Sequence, residues 1–340
     1  MTERIPVALT PPYEALVGEG LLDRLGELLR ALPAAGRVMV VTDATVAPLY
    51  LDRAAQALER GGFAVETAVL PAGEQTKSAE YYVSLLERFS PLTRSDTVLA
   101  LGGGVVSDLA GFAAATYLRG LRLVNVPTTL LAMLDASIGG KTAIDLPAGK
   151  NLAGAFHQPA LVVCDTAALR TLPPRQLRAG WAEAVKTAVL FDPPLFARLE
   201  AGTAAPEETV AACLRRKSAV LSRDEFDRGE RQLLNLGHTL GHAVEACSGY
   251  RVLHGEAVAI GLAGVARAFS RDAARICALL ERLGLPTRTE FSAHALAQAA
   301  LRDKKRRGDT VTLVVPEKIG GCVLRAVPAD ALEEIFGRCL

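Results

Sequence analysis

Short apolar runs that end in polar turns alternate with segments of helical spacing in the first half of the chain. An uninterrupted run such as VMVV (38–41) is typical of a strand buried on both faces of a parallel sheet. Repeated alternation of such strands with helices predicts a parallel sheet covered by helices. The predicted strands are RVMVVTDA (37–44), FAVETAVLPAGE (63–74, with its turn), DTVLALGGG (96–104), LRLVNVPTT (121–129) and ALVVCD (160–165), and the helices include KSAEYYVSLLERF (77–89) and VVSDLAGFAAATYLRG (105–120).

The strand pattern nearly stops after about residue 170. One late segment, VTLVVPEKIGGCVLRAV (311–327), predicts a hairpin with Gly320 and Gly321 at its turn. We therefore predict an α/β domain with a Rossmann-like parallel sheet over residues 1–170, followed by a mainly α-helical domain over residues 171–340. The predicted helices of the second domain are WAEAVKTAVLF, EETVAACLRRKSAVLS, LLNLGHTLGHAVEACS, GEAVAIGLAGVARAFS and ARICALLERLGL.

Length and composition limit the kinds of protein that this chain can be. A chain of 340 residues usually holds more than one core, which agrees with two domains. The net charge of +1 does not suggest a surface for nucleic acid or membrane. The start, MTERIPVALT, lacks a signal-peptide core, and the six cysteines are scattered without a C-x-x-C pair. These features predict a cytoplasmic protein with reduced thiols.

A glycine-rich turn, GGGVVSD (102–108), lies between a predicted strand and a predicted helix. Such a turn lets backbone N–H groups approach a phosphate at a helix N-terminus. The fingerprint G-x-G-x-x-G is incomplete, because Ser107 holds the third glycine position. Asp43 and Glu74 end earlier strands, where a carboxylate can hold a ribose. The motif alone leaves both a nucleotide site and a ligand-free turn open.

Three of the five histidines lie close together in the sequence. His238 and His242 are four residues apart and share a helix face, and His254 follows. Glu183, with Lys186 nearly one turn away, offers a carboxylate from another helix. A mixed His/Glu set suits catalytic zinc, although cobalt, iron or nickel also fit. The spacing nominates the three histidines, with Glu183 as a fourth candidate, and does not choose among them.

Basic residues recur in turn-rich places, and Lys141 in IGGKTAID and Lys150 in AGKNLAG are surrounded by glycines. A cation beside flexible backbone is typical of oxyanion sites. A substrate that carries both carboxylate and phosphate needs several such groups. Further candidates are Arg119, Lys186, Lys217, Arg231 and the pair Lys304–Lys305.

The ordered motifs closely resemble the 3-dehydroquinate synthase family of sugar phosphate cyclases. They are GGGVVSDLAGFAAATYLRG, VPTTLLAMLDASIGGKTAID, GKNLAGAFHQP, AEAVK, NLGHTLGHAVE, HGEAVAIGL and RDKK, and they span roughly residues 40–320. The resemblance implies conversion of 3-deoxy-D-arabino-heptulosonate 7-phosphate to 3-dehydroquinate and phosphate, a shikimate-pathway step, with NAD and zinc (or cobalt as a substitute). It implies transient oxidation by NAD, phosphate elimination, re-reduction, ring opening and an intramolecular aldol closure.

The resemblance also implies a role for individual residues. The zinc ligands fall on Glu183, His238 and His254, whereas His242 falls on a position that faces the substrate's phosphate. Asp135 and Lys186 match positions near the reacting hydroxyls, and Arg119 matches an arginine that enters the neighbouring subunit's site of a homodimer. Substrate carboxylate and phosphate positions fall on Lys141, Asn151, Lys217, Arg231, Asn235 and Lys305 (or Lys304). NAD positions fall on Asp43, Glu74, Lys77, Gly103, Gly104, Val105, Asp108, Thr128, Thr129 and Lys150.

Two departures and several alternatives accompany this interpretation. Asp227 stands where the family usually has Glu, and Thr45 where it often has Asn. Another sugar phosphate cyclase, for example one acting on sedoheptulose 7-phosphate, would share the fold, but Arg231 and Asn235 favour a substrate with a carboxylate. A metal-dependent polyol or alcohol dehydrogenase would accumulate NADH, and a non-catalytic nucleotide-binding module would not use the metal set.

Overall fold

The computed structural model describes residues 2–32, 36–302, 306–307 and 309–340. The chain divides into two compact units, Met1–Leu172 with Lys217–Glu225, and Pro173–Arg216 with Phe226–Leu340. Residues 217–225 therefore belong to the first unit, although the sequence analysis assigned them to the second domain. In the described chain, no helix is both long enough and apolar enough to span a membrane.

The first unit is built on a seven-stranded sheet and the helices that cover it. Its strands and helices are β1 Glu3–Val7, β2 Tyr13–Gly18, α1 Leu25–Arg30, β3 Arg37–Asp43, α2 Ala47–Arg60, β4 Ala64–Leu70, α3 Ala79–Arg88, β5 Thr97–Gly102, α4 Gly104–Thr116, β6 Arg122–Pro127, β7 Lys141–Leu146, β8 Gly149–Phe156 and β9 Leu161–Asp165. The strand order in the sheet is β1-β2-β9-β6-β5-β3-β4. All neighbouring strands run parallel except the edge pair β1–β2, so the predicted Rossmann-like parallel sheet is confirmed and gains one antiparallel edge strand.

One core of this unit lies between the sheet and the helices α3 and α4. Val41 and Val98 from the sheet, Leu85 and Phe89 from the α3 side, and Leu109 from α4 are all buried in it. The inner strand β5 is buried along its whole length, which explains its continuous apolar sequence. The hairpin β7–β8, which carries three predicted site residues, was not predicted.

The second unit is mainly helical, as predicted. Its elements are α5 Pro174–Phe191, α6 Pro193–Ala201, α7 Pro206–Leu221 (which ends in the first unit), α8 His238–Cys247, α9 His254–Phe269, α10 Ala273–Arg282, α11 Ala293–Arg302, β10 Arg306–Arg307, β11 Thr310–Lys318, β12 Gly321–Pro328 and α12 Leu332–Cys339. The predicted hairpin is β11–β12, with Gly320 at φ +77° in its turn.

Glycines allow α5, α8 and α9 to approach one another closely. A Cβ at Gly255 would lie 1.9 Å from the carbonyl oxygen of Ala179 in α5, and one at Gly261 would lie 1.9 Å from that of Gly237 just before α8. No side chain fits at these distances. This close packing places the N-terminal ends of α8 and α9 beside α5.

The segment 233–248 is not one continuous helix, which corrects the prediction. Asn235 ends a short 3₁₀ helix, Glu230–Asn235, and Gly237 follows with φ +77°. A left-handed residue ends one helical path before the next begins. His238 is therefore the first residue of α8, and Asn235 does not extend the same helix.

Candidate functional site

The glycine turn of the first unit connects β5 directly to α4. Gly103 precedes α4, which begins at Gly104 and includes Val105. A Cβ at Gly103 would lie 3.1 Å from Cγ2 of Thr129, and the N–H of Thr128 donates to the carbonyl of Gly102 across 2.9 Å. The backbone N–H groups of the first turn of α4 have no partner within the helix. This end of the sheet can therefore receive an anionic group such as a pyrophosphate.

Asp43 stands at the carboxyl end of β3. Its Oδ1 accepts hydrogen bonds from the N–H groups of Thr45 (2.8 Å) and Val46 (3.0 Å). These bonds hold the carboxylate at the start of α2, at the same sheet edge as the glycine turn. The position suits a hydroxyl donor such as a ribose.

Lys77 lies beside three of the predicted cofactor and substrate residues, and a fourth, Lys150, joins the cluster through Glu74. Its Nζ lies 2.8 Å from Oδ2 of Asp108 and 2.5 Å from Oδ1 of Asn151, and its residue is 3% exposed. Glu74 forms an ion pair with Lys150 across 3.2 Å and lies 3.9 Å from Lys77. Burial alone would lower the pKa of Lys77, but Asp108 and Glu74 outweigh it and raise that pKa. Lys77 is therefore a charged, ordered part of this cluster.

Asn151 has a left-handed backbone at φ +55°. Its N–H donates to Oδ1 of Asp145 across 2.8 Å, and the N–H of Asp145 donates in turn to the carbonyl of Lys77. Backbone strain of this kind is often stored at functional sites. Asp145 lies in β7, and the sequence analysis did not single it out because a single acidic residue is usually solvated.

Lys217 and Asp135 form an ion pair across 2.7 Å, and Nζ of Lys217 also donates to the carbonyl of Asp135 across 2.7 Å. Both residues were predicted to contact substrate, from separate parts of the sequence. Both residues belong to the first unit, which includes the segment Lys217–Glu225. Lys141 is exposed at the start of β7, and Arg119 is exposed with φ +68°.

In the second unit, Glu183 and Lys186 are each 1% exposed on α5 and form an ion pair through Oε2 of Glu183. The other oxygen, Oε1, lies 3.7 Å from Nε2 of His238 and 3.7 Å from Nε2 of His254. Charged side chains are rarely buried this deeply unless they are paired or bind a metal.

Glu183, His238 and His254 form a group whose ligand atoms lie within 4.8 Å of one another. His238 begins α8 and His254 begins α9, so the close packing of these helices against α5 assembles the group. One carboxylate and two imidazoles are a common three-ligand set for catalytic zinc. The donor set therefore fits a divalent transition metal.

A second group shares His254 with the first. His242, Glu245 and His254 also offer ligand atoms within 4.8 Å of one another. The structure thus places His238 and His242 in different groups, although they share one face of α8. Burial alone would lower the pKa of His254, but the contacts with Glu183 and Glu245 raise it to about 10. Glu245 received no role from the sequence.

Arg231 is 2% exposed in the 3₁₀ helix Glu230–Asn235, and Nδ2 of Asn235 donates to the carbonyl of Gln232 across 3.1 Å. A buried arginine offers a fixed fork of donors for a carboxylate or phosphate. Lys305 and its alternative Lys304 lie outside the described residues.

A solved structure of 2-epi-5-epi-valiolone synthase from Streptomyces hygroscopicus subsp. jinggangensis 5008, with NAD⁺ and Zn²⁺ bound, is similar to this chain along almost its whole length. The TM-score is 0.86 and the sequence identity 29%, over 96% of each chain. The two-unit fold and its carboxylate–histidine group therefore place the chain in the structural class of the sugar phosphate cyclases.

Family models described as 3-dehydroquinate synthase N-terminal and C-terminal match residues 67–179 and 180–306. The 3-dehydroquinate synthase of Symbiobacterium thermophilum is 46% identical over 343 residues (94% of this chain, 96% of the relative). That of Rhodopseudomonas palustris is 45% identical over 350 residues (94% and 91%). The chain belongs to the 3-dehydroquinate synthase family, whose members are phosphate-eliminating enzymes of the shikimate pathway.

Proposed function

We propose that this chain converts 3-deoxy-D-arabino-heptulosonate 7-phosphate to 3-dehydroquinate and phosphate, with NAD and zinc as cofactors. The observation that carries the proposal is the group Glu183, His238 and His254, which offers a metal-type donor set beside the buried cation of Lys186. When bound, NAD takes up and returns a hydride, and zinc lowers the pKa of a hydroxyl and polarises a carbonyl.

In this proposal, Glu183, His238 and His254 hold the metal. Lys186 neutralises the second carboxylate oxygen of Glu183 and orients it, because the two side chains are paired in a buried environment. We propose that the same ammonium donates a hydrogen bond to a reacting hydroxyl. His242 lies outside the first ligand group and is proposed to contact the substrate's phosphate. Cobalt is the proposed substitute metal, since it accepts the same ligand types.

The NAD site is proposed in the first unit. The turn Gly103–Gly104–Val105 and the N-terminus of α4 receive the pyrophosphate, and Asp43 receives a ribose. The paired side chains of Lys77 and Asp108 keep the pocket ordered. The remaining proposed NAD residues are Glu74, Thr128, Thr129 and Lys150.

The substrate's anionic groups need fixed cations. Arg231 is buried and suits the carboxylate, with Asn235 as a neighbouring donor in the same 3₁₀ helix. Lys217 is held against Asp135, which presents a carboxylate to the substrate's hydroxyls. Lys141, Asn151 and Lys305 complete the proposed set. A neutral sugar offers no carboxylate for Arg231 to bind, which disfavours a cyclase for sedoheptulose 7-phosphate.

We also propose a homodimer in which Arg119 contributes to the neighbouring subunit's site. The support is its exposed position in a turn with left-handed backbone at Leu118 (φ +50°) and Arg119 (φ +68°). A cytoplasmic location is proposed as well, since all six cysteines lie in described residues and none forms a disulfide. Mixing Arg119→Ala chains with His238→Ala chains should restore activity only if subunits share sites.

The test of the proposed function is a substrate panel with two simultaneous readouts, phosphate release and NADH absorbance. We expect the heptulosonate phosphate to release one phosphate per molecule without net NADH, and only when zinc and NAD are both present. Chelator-treated protein and the His238→Ala variant are the matched controls.

The same panel separates the alternatives. NADH that accumulates in proportion to substrate would contradict the cyclase and support a polyol or alcohol dehydrogenase. Faster turnover of sedoheptulose 7-phosphate than of the heptulosonate would support the related cyclase activity. Nucleotide binding without turnover of any sugar would indicate a binding module.

A further inference from the structure

His254 lies between two carboxylates that approach different nitrogens of its ring. Nε2 lies 3.7 Å from Oε1 of Glu183, and Nδ1 lies 3.4 Å from Oε2 of Glu245. Glu245 is a buried residue near the end of α8, whereas His254 begins α9. The His254 ring is thus oriented from both sides. Glu183 approaches it from α5, which is distant in sequence, and Glu245 approaches it from α8, which precedes α9 across a short loop.

The other proposed histidine ligand has the same arrangement. Nδ1 of His238 lies 3.1 Å from the carbonyl oxygen of Leu236, and its Nε2 faces Oε1 of Glu183. In both histidines, an oxygen acceptor engages Nδ1 and leaves Nε2 directed at the same carboxylate oxygen. A neutral imidazole that binds a metal through Nε2 carries its proton on Nδ1, and a hydrogen bond from that N–H selects this tautomer.

We propose that Glu245 is a positioning residue for the metal site: it accepts a hydrogen bond from Nδ1–H of His254 and so presents Nε2 to the metal. The inference rests on the metal site of the proposed function. A carboxylate that accepts this hydrogen bond also makes the imidazole a stronger electron-pair donor to the metal than a backbone carbonyl does. The two rings differ in their Nδ1 partner, because Glu245 offers a carboxylate to His254 and Leu236 offers a backbone carbonyl to His238.

A direct ligand role is the competing use of Glu245. His242, Glu245 and His254 also form a compact group, and Nδ1 is the ring nitrogen of His254 that lies 3.4 Å from Oε2 of Glu245. The two uses exclude each other, because Nδ1 either donates a proton to Glu245 or binds the metal. If Glu245 accepts the hydrogen bond, the metal is held by Glu183, His238 and His254, and Glu245 does not touch it.

The experiment measures zinc affinity of the full chain by competition with a chromophoric chelator, together with the absorption spectrum of the cobalt-substituted protein. For Glu245→Gln and Glu245→Ala we expect zinc affinity to fall by about 10–100-fold, as is typical for loss of such a partner. Saturating zinc should still bind at the wild-type stoichiometry, and the cobalt bands should shift without losing the intensity of a low-coordinate site.

Glu256→Gln is the matched control. Glu256 lies two residues after His254, and its carboxylate accepts from the N–H of Leu253 and pairs with Arg175 without engaging the imidazole. This variant removes the same charge and weakens the start of α9, so we expect lower thermal stability without a comparable loss of zinc affinity. Thermal unfolding of each metal-free variant identifies any that fail to fold.

Unchanged zinc affinity in Glu245→Gln, or an equal loss in Glu256→Gln, would overturn the inference. Complete loss of zinc from Glu245→Gln, combined with retention by Glu183→Gln, would make Glu245 a ligand and also overturn it. Wild-type protein that binds no zinc would instead refute the proposed function, and the inference with it.

Discussion

Lys77 and Asp108 form a largely buried ion pair across 2.8 Å, so two residues proposed to serve NAD also stabilise each other. Asp108→Asn leaves the buried ammonium of Lys77 with Glu74 as a more distant anion, 3.9 Å away. Lys77→Met leaves the carboxylate of Asp108, whose pKa is already raised by burial, without its nearest cation. We expect Asp108→Asn and Lys77→Met each to lower the free energy of unfolding by about 3 kcal/mol. The double variant should be less destabilised than the sum of the two. Urea unfolding without NAD measures this contribution.

The exposed pair Arg53–Asp23 provides the control, because its N–O distance is also 2.8 Å but both side chains are about half exposed. Arg53→Met should cost about 1 kcal/mol or less. Equal losses for the buried and the exposed pair would show that burial of Lys77 does not matter.

His238 and His242 should respond differently to alanine substitution. His238→Ala removes a member of the group with Glu183, so we expect the purified protein to lose zinc. His242→Ala leaves that group intact and should largely retain the metal while substrate binding weakens. Metal analysis after gel filtration measures both variants. Equal loss of zinc would favour the simple pair of ligands four residues apart.

Lys141→Ala and Arg231→Ala should weaken substrate binding much more than NAD binding. A lost hydrogen bond between charged groups is worth about 1.5–3 kcal/mol, or about 10–100-fold in KM. Steady-state kinetics and calorimetric titration with NAD give the two quantities separately. Because Arg231 is buried, Arg231→Lys tests whether the effect follows from lost geometry or from lost charge.

The surface arginine Arg198, which pairs with Glu208 across 3.1 Å, is the control for this experiment. Arg198→Ala should leave both constants unchanged. Parallel loss of substrate and NAD affinity in Lys141→Ala would argue against an anion-binding role.

Asp96 should contribute to stability in a pH-dependent way. It accepts hydrogen bonds from the N–H groups of Arg37 and Thr93 and from the hydroxyl of Thr93. Burial tends to raise its pKa, but these bonds outweigh it and lower the pKa below the usual value. The stabilisation is therefore complete above the unfolded-state pKa and is lost as pH falls through the lower folded-state pKa.

Asp96→Asn should destabilise the protein by about 1–3 kcal/mol near neutral pH, because Asn cannot accept all three bonds. The difference in the free energy of unfolding between Asp96→Asn and wild type should become smaller in acid, because the Asp96 carboxylate is then protonated. Urea unfolding of both proteins between about pH 3 and pH 7, the range in which carboxylates titrate, measures this difference in the free energy of unfolding. A difference that is independent of pH would contradict the ionised role of Asp96.

The apolar pattern predicted the central strands well because their burial imposes a continuous apolar sequence. DTVLALGGG became β5, and RVMVVTDA became β3. The hairpin β7–β8 was not predicted, because β8 contains two glycines and apolar and polar residues alternate only weakly along both strands. The break at Gly237 was missed because apolar periodicity continues across it.

The sequence by itself determined the two-part layout, the family and the residue types that carry chemistry, because periodicity and ordered motifs are local properties of the chain. The family resemblance already implied different roles for His238 and His242, but only the tertiary structure showed which side chains approach each of them and that Glu245 lies against His254. Four-residue spacing places two histidines on one helix face, but it cannot show what approaches that face. The close packing of α5, α8 and α9 brings Glu183 and His254 there, and the ring nitrogens then face different carboxylates.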